Sequence, residues 1–151
     1  MQKRAAMPHM PVEGRLRMFH EMTSALEGFT WERYGVRFAL LFGSRARRGV
    51  AVKGDWDIAV WPDPRDKYGD LVADLATRLG VREEQIDLVI LDDETPCALV
   101  LEIAAGKPLY YRDLKEFLDV LYLYVNVCID HFITLEKVGS WEAQVRRVWQ
   151  S

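Results

Sequence analysis

The sequence predicts an α/β (α+β) fold, in which helices pack on a small mixed β-sheet. Short β-branched and aromatic runs alternate with segments whose apolar residues recur at steps of three and four, and the connections between them are short. Half of the 151 residues are hydrophobic, which is enough for one buried core. We expect residues 1–14 to form a loose N-terminal arm and residues 15–151 a single domain with a long C-terminal helix.

Strands are predicted where an apolar run ends at glycine, proline or a polar turn. The segments that fit are 36–42, 55–61, 86–91 and 109–111. Helices are predicted where the apolar spacing follows a period of 3.6 residues. These segments are 15 to about 28, 44–48, 68–79, about ten residues before Gly106, and 113–139, followed by a short last helix that Ser140 caps.

Capping residues mark several helix ends. Gly80 follows the helix 68–79 at the position where a left-handed residue is favoured. Thr95 is predicted as an N-cap with Pro96 in the first turn. Asp113, with Glu116 three positions later, has the spacing of a capping box and predicts the start of the long last helix.

Composition argues against several classes of protein. A formal net charge of −3 gives no general attraction to nucleic acid. The most apolar segment, 120–129, is about half of the ~20 residues that a membrane-spanning helix needs, so we expect no membrane span and no membrane partner. No segment of secretory type follows the charged N-terminus. Cys97 and Cys128 lack zinc-site spacing and are too few for a disulfide framework, which favours a cytoplasmic protein.

Three aspartates on two predicted strands carry the chemistry. Successive side chains of a strand face opposite sides, so Asp55 and Asp57 share one face. Asp87 opens the next strand and joins them if the two strands pair. Because like charges repel at this distance, a cation between them is the natural reason for such a cluster.

The oxygen ligands suit Mg²⁺, which prefers carboxylates together with substrate phosphates. A phosphate site is predicted at the strand-to-helix junction, where Gly43 lets the backbone come close to an anion and Ser44 adds a hydroxyl. The alternative for Gly43 and Ser44 is a simple strand end and helix cap. The basic cluster of Arg45, Arg47, Arg48 and Lys53 either neutralises phosphates, meets an acidic partner or is a solvated helix face.

These motifs resemble the nucleotidyltransferase superfamily of DNA polymerase beta, and within it the minimal nucleotidyltransferases encoded beside HEPN-domain toxins. The resemblance rests on Gly43-Ser44, ten further residues, Asp55-Trp56-Asp57 and a later strand that begins Ile86-Asp87. It covers roughly residues 36–111. Two positions depart from the family pattern: Arg48 stands where glycine is frequent, and Gly54 stands where serine or threonine is frequent.

The resemblance implies a polymerase beta-like nucleotidyltransferase fold and a Mg²⁺-dependent activity with ATP as substrate. Asp55, Asp57 and Asp87 would be the catalytic and metal-binding residues and would hold two Mg²⁺ ions, or one Mg²⁺ ion and its waters. Gly43, Ser44 and Arg45 would bind the nucleotide. The implied role is that of an antitoxin, which transfers AMP to a tyrosine of a HEPN ribonuclease toxin.

Two other functions stay open on the sequence. The same chemistry could modify a small molecule such as an aminoglycoside, or the chain could be a non-catalytic antitoxin that neutralises its partner by contact. The last helix is predicted to pack on the sheet through a stripe that contains Leu114, Phe117, Leu121, Val125, Cys128, Phe132 and Leu135. It is also apolar on its other faces, which indicates a second neighbour, either another copy of the chain or another protein.

Overall fold

The computed structural model describes residues 24–48 and 54–150. A four-stranded sheet forms its centre, with the strands in the order β3-β2-β1-β4. The strands are β1 (Phe38–Phe42), β2 (Trp56–Trp61), β3 (Ile86–Ile90) and β4 (Lys107–Tyr111). β1 pairs antiparallel with β2 and with β4, while β2 and β3 run parallel. The prediction of a small mixed sheet is therefore confirmed.

Four α-helices surround the sheet among the described residues. They are α1 (Gly43–Arg48), α2 (Tyr68–Leu79), α3 (Cys97–Ala104) and α4 (Leu114–Gln150). Short 3₁₀ turns cover Trp31–Tyr34, Arg65–Lys67 and Glu83–Gln85. Gly80 ends α2 with a φ of 69°, as its position after the apolar stripe predicts. The predicted arm and most of the predicted first helix lie outside the described residues.

The core lies on both faces of the sheet, because β1 is buried on both sides along its whole length. Ala39 and Leu41 face α2, together with Ile58 and Val60 of β2, and Leu75 of α2 packs against them. The opposite face carries a second apolar cluster that joins the sheet to α3 and α4. Its buried members are Phe38, Leu40, Phe42, Ala59, Leu91, Val100, Ile103, Phe117 and Cys128.

The prediction that Thr95 caps α3 is wrong. The N-cap is Pro96, and its side chain makes no capping hydrogen bond. The Thr95 hydroxyl accepts a hydrogen bond from the backbone N–H of Asp92 at 3.0 Å and donates one to the carbonyl oxygen of Ile90 at 3.1 Å. The hydroxyl therefore closes the turn after β3, a competing local bond that is available to any threonine in such a position.

The predicted break of the last helix at Gly139 is also wrong. α4 runs without interruption over 37 residues, because one glycine costs a helix only about 1 kcal/mol and does not remove a backbone donor. At its start, the Asp113 side chain accepts a hydrogen bond from the backbone N–H of Lys115 at 3.2 Å. Glu116 does not complete the capping box; instead it pairs with Arg112 at 2.9 Å.

Only part of the predicted sheet-packing stripe of α4 is buried. Phe117 and Cys128 are buried, and Leu121 and Val125 pack beside them. Leu114, Phe132 and Leu135 are 50%, 42% and 53% exposed. The sheet ends before the helix does, so the spacing predicts the correct face but not how far that face is covered.

Cys97 and Cys128 form a disulfide bond, with their Cα atoms 5.3 Å apart. The bond joins the first turn of α3 to the middle of α4. The bond is not predictable from the sequence, since the two cysteines are 31 positions apart and one isolated pair gives no spacing signal. A disulfide bond does not support the reducing environment that the small number of cysteines favours.

One described segment, Leu114–Lys137, is long and apolar enough to cross a membrane by length and composition alone. The shorter apolar run 120–129 predicted no such segment. Only 6% of the most apolar part of Leu114–Lys137 is buried inside the structure. α4 therefore has a large exposed apolar surface.

Candidate active site

Asp57 and Asp87 lie side by side on neighbouring strands. In the parallel pair of β2 and β3, Asp57 is directly opposite Asp87, one residue inside the start of each strand. Ala59 and Val89, two positions further along, pack on the side of α3 and α4. Both carboxylates therefore point to that face of the sheet. The expected convergence of all three aspartates, with Asp55 as the third, stays a prediction.

The carboxyl group of Asp57 is strongly perturbed. Burial, followed by the charge of Asp87, a side-chain hydrogen bond with Asp87 and the charges of Asp55 and Glu102, raises its pKa to about 6. Asp57 is half-buried, whereas Asp55 and Asp87 are exposed. Close carboxylates favour keeping a proton on one of them unless a cation neutralises the group. The cluster thus has an excess of negative charge at one edge of the sheet.

Gly43 lies against Asp57 at the start of α1. Its φ is +73°, a conformation that side chains other than glycine rarely adopt. A Cβ atom built on Gly43 would lie 2.1 Å from Oδ2 of Asp57 and 3.0 Å from its Cγ. Two independent constraints therefore require glycine here, and one of them is the space that the Asp57 carboxylate occupies.

Ser44 and Arg45 occupy the first turn of α1, and Ser44 is half-buried. Arg45 is buried, with its guanidinium 4.4 Å from the centre of the Trp56 ring, and it donates a hydrogen bond to the carbonyl oxygen of Gly54 at 3.0 Å. Burial lowers the pKa of Arg45, while the charge of Asp55 raises it. These contacts hold α1 to the start of β2. Nucleotide binding by Arg45 stays a prediction.

Within residues 24–48 and 54–150, no three His, Cys, Asp or Glu side chains are grouped closely enough to ligate one metal ion. Asp57 and Asp87 are nevertheless neighbouring hard oxygen donors on adjacent strands, and the charge of Asp55 acts on Asp57. Donors of this kind fit Mg²⁺, which takes one or two carboxylates and completes its shell with water and phosphate. Their chemistry fits the ion that the sequence analysis expected.

The structure adds one acidic side chain to the three that were predicted. Glu102, on α3, contributes its charge to Asp57, and it pairs with Arg47 at 3.7 Å on the surface. In the sequence, Glu102 is an ordinary polar position of an apolar helix. Its place beside the site follows from the packing of α3 on β1, where Gly106 allows close contact: a Cβ there would lie 2.3 Å from the carbonyl oxygen of Leu41.

The site combines two features: a strand-to-helix junction that requires glycine, and paired carboxylates on neighbouring parallel strands. Together these features define a class of protein. The family model of the polymerase beta nucleotidyltransferase domain matches residues 27–115, more than half of the chain. The chain belongs to this family, and it is a nucleotidyltransferase. No curated protein matches it at the significance required.

Solved structures with a similar fold include two from toxin–antitoxin pairs. One is a mutant of the toxin–antitoxin MntA–HpeT, with a TM-score of 0.51 and 19% identity, over 85% of this chain and 96% of the other. The second is a toxin–antitoxin with AMP-PNP, with a TM-score of 0.50 and 20% identity, over 85% and 96% of the two chains. At these identities the likeness shows the fold, in agreement with the family match.

Proposed function

We propose that this nucleotidyltransferase transfers AMP from ATP to a hydroxyl group of a protein, with Mg²⁺ bound by Asp55, Asp57 and Asp87. The observation that carries the proposal is the Asp57–Asp87 pair, level on parallel strands, with Asp57 occupying the space that a Cβ of Gly43 would need. Any other residue at position 43 would be strained by this φ and would place its Cβ against the Asp57 carboxylate.

The proposal gives each residue a role. Asp57 and Asp87 would supply oxygen ligands from adjacent strands, and Asp55, whose charge already acts on Asp57, would supply a third once the ion is bound. Gly43 and Ser44 offer backbone and hydroxyl groups to the triphosphate from the start of α1. The bound Mg²⁺ would neutralise the triphosphate and stabilise the charge that develops in an in-line displacement.

The reaction places few other demands on the protein. The acceptor oxygen forms a bond to the α-phosphorus, the bond from that phosphorus to the β-phosphate oxygen breaks, and pyrophosphate leaves. In this proposal Asp87, which is exposed and opposite Asp57, would help to accept the proton of the attacking hydroxyl. Positioning and charge stabilisation account for most of the acceleration of such transfers.

The acceptor that we propose is a tyrosine of a HEPN-domain toxin, with this chain as its cytoplasmic antitoxin. Support comes from the resemblance of its motifs to the minimal nucleotidyltransferases encoded beside such toxins. It also comes from the toxin–antitoxin pairs among the proteins of similar fold, one of which was solved with AMP-PNP.

The test is incubation of the protein with a HEPN-domain protein encoded beside it and Mg-ATP, followed by intact mass. We expect the HEPN protein to gain one or more AMP units. Asp57→Asn and Asp87→Asn should each lower the rate by at least about a hundredfold, the order lost with a group that stabilises the transition state. Asp66→Asn is the matched control, since Asp66 is an exposed aspartate in the turn after β2.

The outcomes separate the three functions. Wild-type transfer by Asp57→Asn would refute the proposed site. Nucleotide consumption with an aminoglycoside but not with the HEPN protein would favour the small-molecule reaction. If the protein inhibits the toxin without binding Mg-ATP in titration calorimetry, it is a contact-only antitoxin and the enzymatic proposal is wrong.

A further inference from the structure

The exposed side of α4 carries a regular apolar line that the active site does not use. Its residues follow one another at steps of four, three, four and three, the spacing that coiled-coil helices use for their contact face. They are Leu118, Tyr122, Val125, Ile129 and Phe132, here called the α4 seam. Tyr122 is 70% exposed and Leu118 53%, whereas Val125 is half-buried at the edge of the core.

The α4 seam is distinct from the two other apolar sides of the helix. Phe117 and Cys128 are buried against the sheet and α3. Leu123 and Val127 line a cavity of about 440 Å³ between α3 and α4. Successive residues of a helix are about 100° apart, so Tyr122 and Leu123 point in clearly different directions. The residues of the α4 seam therefore do not line that cavity.

Charged residues bound the α4 seam at both ends, at its own spacing. Lys115, which pairs with Asp119 of its own helix at 2.6 Å, lies three positions before Leu118, and Glu136 lies four positions after Phe132. The apolar part from 118 to 132 is about 21 Å long at 1.5 Å per residue. The wider apolar segment Leu114–Lys137 has the length of a membrane span, so length alone does not select the partner. The choice of a protein helix rests on the charged residues at the two ends of the seam.

We propose that the α4 seam binds the α4 seam of a second copy of this chain, with the two helices antiparallel. A parallel arrangement would bring Lys115 close to Lys115 and Glu136 close to Glu136. The antiparallel arrangement brings Lys115 of each copy towards Glu136 of the other, so both ends of the contact become attractive. The surface is self-complementary, as a two-fold symmetric interface requires.

The exposed area is consistent with a dimer contact. The exposed fractions of the seam residues together correspond to on the order of 400 Å² of apolar surface, at roughly 200 Å² for each large side chain. A standard interface buries about 800 Å² on each partner, and just over half of that area is apolar. The seam with its polar borders therefore matches the apolar centre of such an interface. The proposal does not depend on the transferase activity.

The test is the mass of the full chain in solution, measured by light scattering and sedimentation equilibrium over a range of concentrations. We expect twice the 17.5 kDa of one chain. Tyr122→Lys should shift the protein to the monomer mass. Leu123→Lys is the matched control, because it introduces the same charge at the neighbouring, 62% exposed position outside the seam, and should leave the dimer intact.

A charge exchange tests the antiparallel direction. Glu136→Lys should weaken the dimer at least several-fold, because two lysines then meet at each end. The double variant with Lys115→Glu as well should recover most of the lost affinity. A parallel dimer or a different contact surface would show no recovery, and that result would overturn the proposed arrangement.

Other occupants of the α4 seam give different results. A chain that stays monomeric at all concentrations overturns the proposal. If that monomer binds a HEPN-domain protein and Tyr122→Lys abolishes the binding, the seam serves a different protein. Co-sedimentation with phosphatidylcholine–phosphatidylglycerol vesicles, lost in Tyr122→Lys, would instead assign the surface to a membrane. Equal loss of the dimer in Leu123→Lys would show that the contact is not specific to the seam.

Discussion

Asp57→Asn is expected to stabilise the protein when no divalent ion is present. In the folded chain, burial and the neighbouring acids raise the pKa of Asp57 from 3.8 to about 6. A carboxyl group with a raised pKa contributes its full stability below its unfolded pKa and loses it as the pH rises through the folded pKa. At neutral pH the ionised Asp57 is therefore a cost to folding, and asparagine removes the charge at nearly the same volume.

The size of the effect follows from the shift. About two pKa units correspond to roughly 3 kcal/mol at 1.36 kcal/mol per unit. Because Asp57 is only half-buried and its neighbours Asp55 and Asp87 are exposed, solvent screens much of this interaction. We therefore expect a gain of about 1 kcal/mol, which corresponds to a rise of roughly 2–4 °C in Tm for a chain of this size.

The assay is thermal unfolding of wild-type protein and Asp57→Asn in EDTA at pH 7.5 and at pH 4, with Mg-ATP added in a parallel series. The variant should unfold at the higher temperature at pH 7.5, and the difference should shrink towards zero at pH 4, where wild-type Asp57 is largely protonated. With Mg-ATP the order should reverse, because binding stabilises only the protein that retains its ligands.

Two results would refute this reasoning. If the variant is no more stable than wild type in EDTA at pH 7.5, the carboxylates do not repel one another as their positions require. If its advantage is the same at pH 4 and pH 7.5, the gain arises from something other than the charge of Asp57. An unchanged order in Mg-ATP would separately contradict the proposed ion binding.

Three further predictions concern the backbone and the disulfide. Gly43→Ala should lose about 1–2 kcal/mol through its left-handed φ and should also abolish transfer. Gly80→Ala, with a similar φ of 69° and open space around it, should destabilise the protein but retain transfer. Gly106→Ala should destabilise the fold, since its Cβ would meet a β1 carbonyl oxygen at 2.3 Å, whereas Gly139→Ala, in open space within α4, should be stabilising in the same melts. Reduction of the Cys97–Cys128 bond, which closes a separation of 31 residues, should lower the stability by about 3–4 kcal/mol; intact mass after alkylation should show added thiol labels only in reduced samples.

The sequence determined the elements and the main chemistry of the site. All four strands and three of the four helices within the described residues form where they were predicted, to within a few residues, whereas α4 begins where predicted but continues past 139 to Gln150. Asp57 and Asp87 are recognisable because two acidic positions at the starts of apolar strands are unusual without a ligand. The sequence also indicated Gly43, through its position between a buried strand and a helix.

Tertiary structure decided what depends on contacts between distant segments. The parallel register that places Asp57 opposite Asp87 is a long-range pairing, and so is the approach of Glu102 to the site. The Cys97–Cys128 bond joins helices that only the folded sheet brings together. The spacing of apolar residues predicts which side of α4 is apolar, but the size of the sheet decides how much of that side is buried. A local sequence pattern records a residue's neighbours in sequence and not its neighbours in space. The α4 seam can therefore be recognised as an exposed surface only in the folded protein.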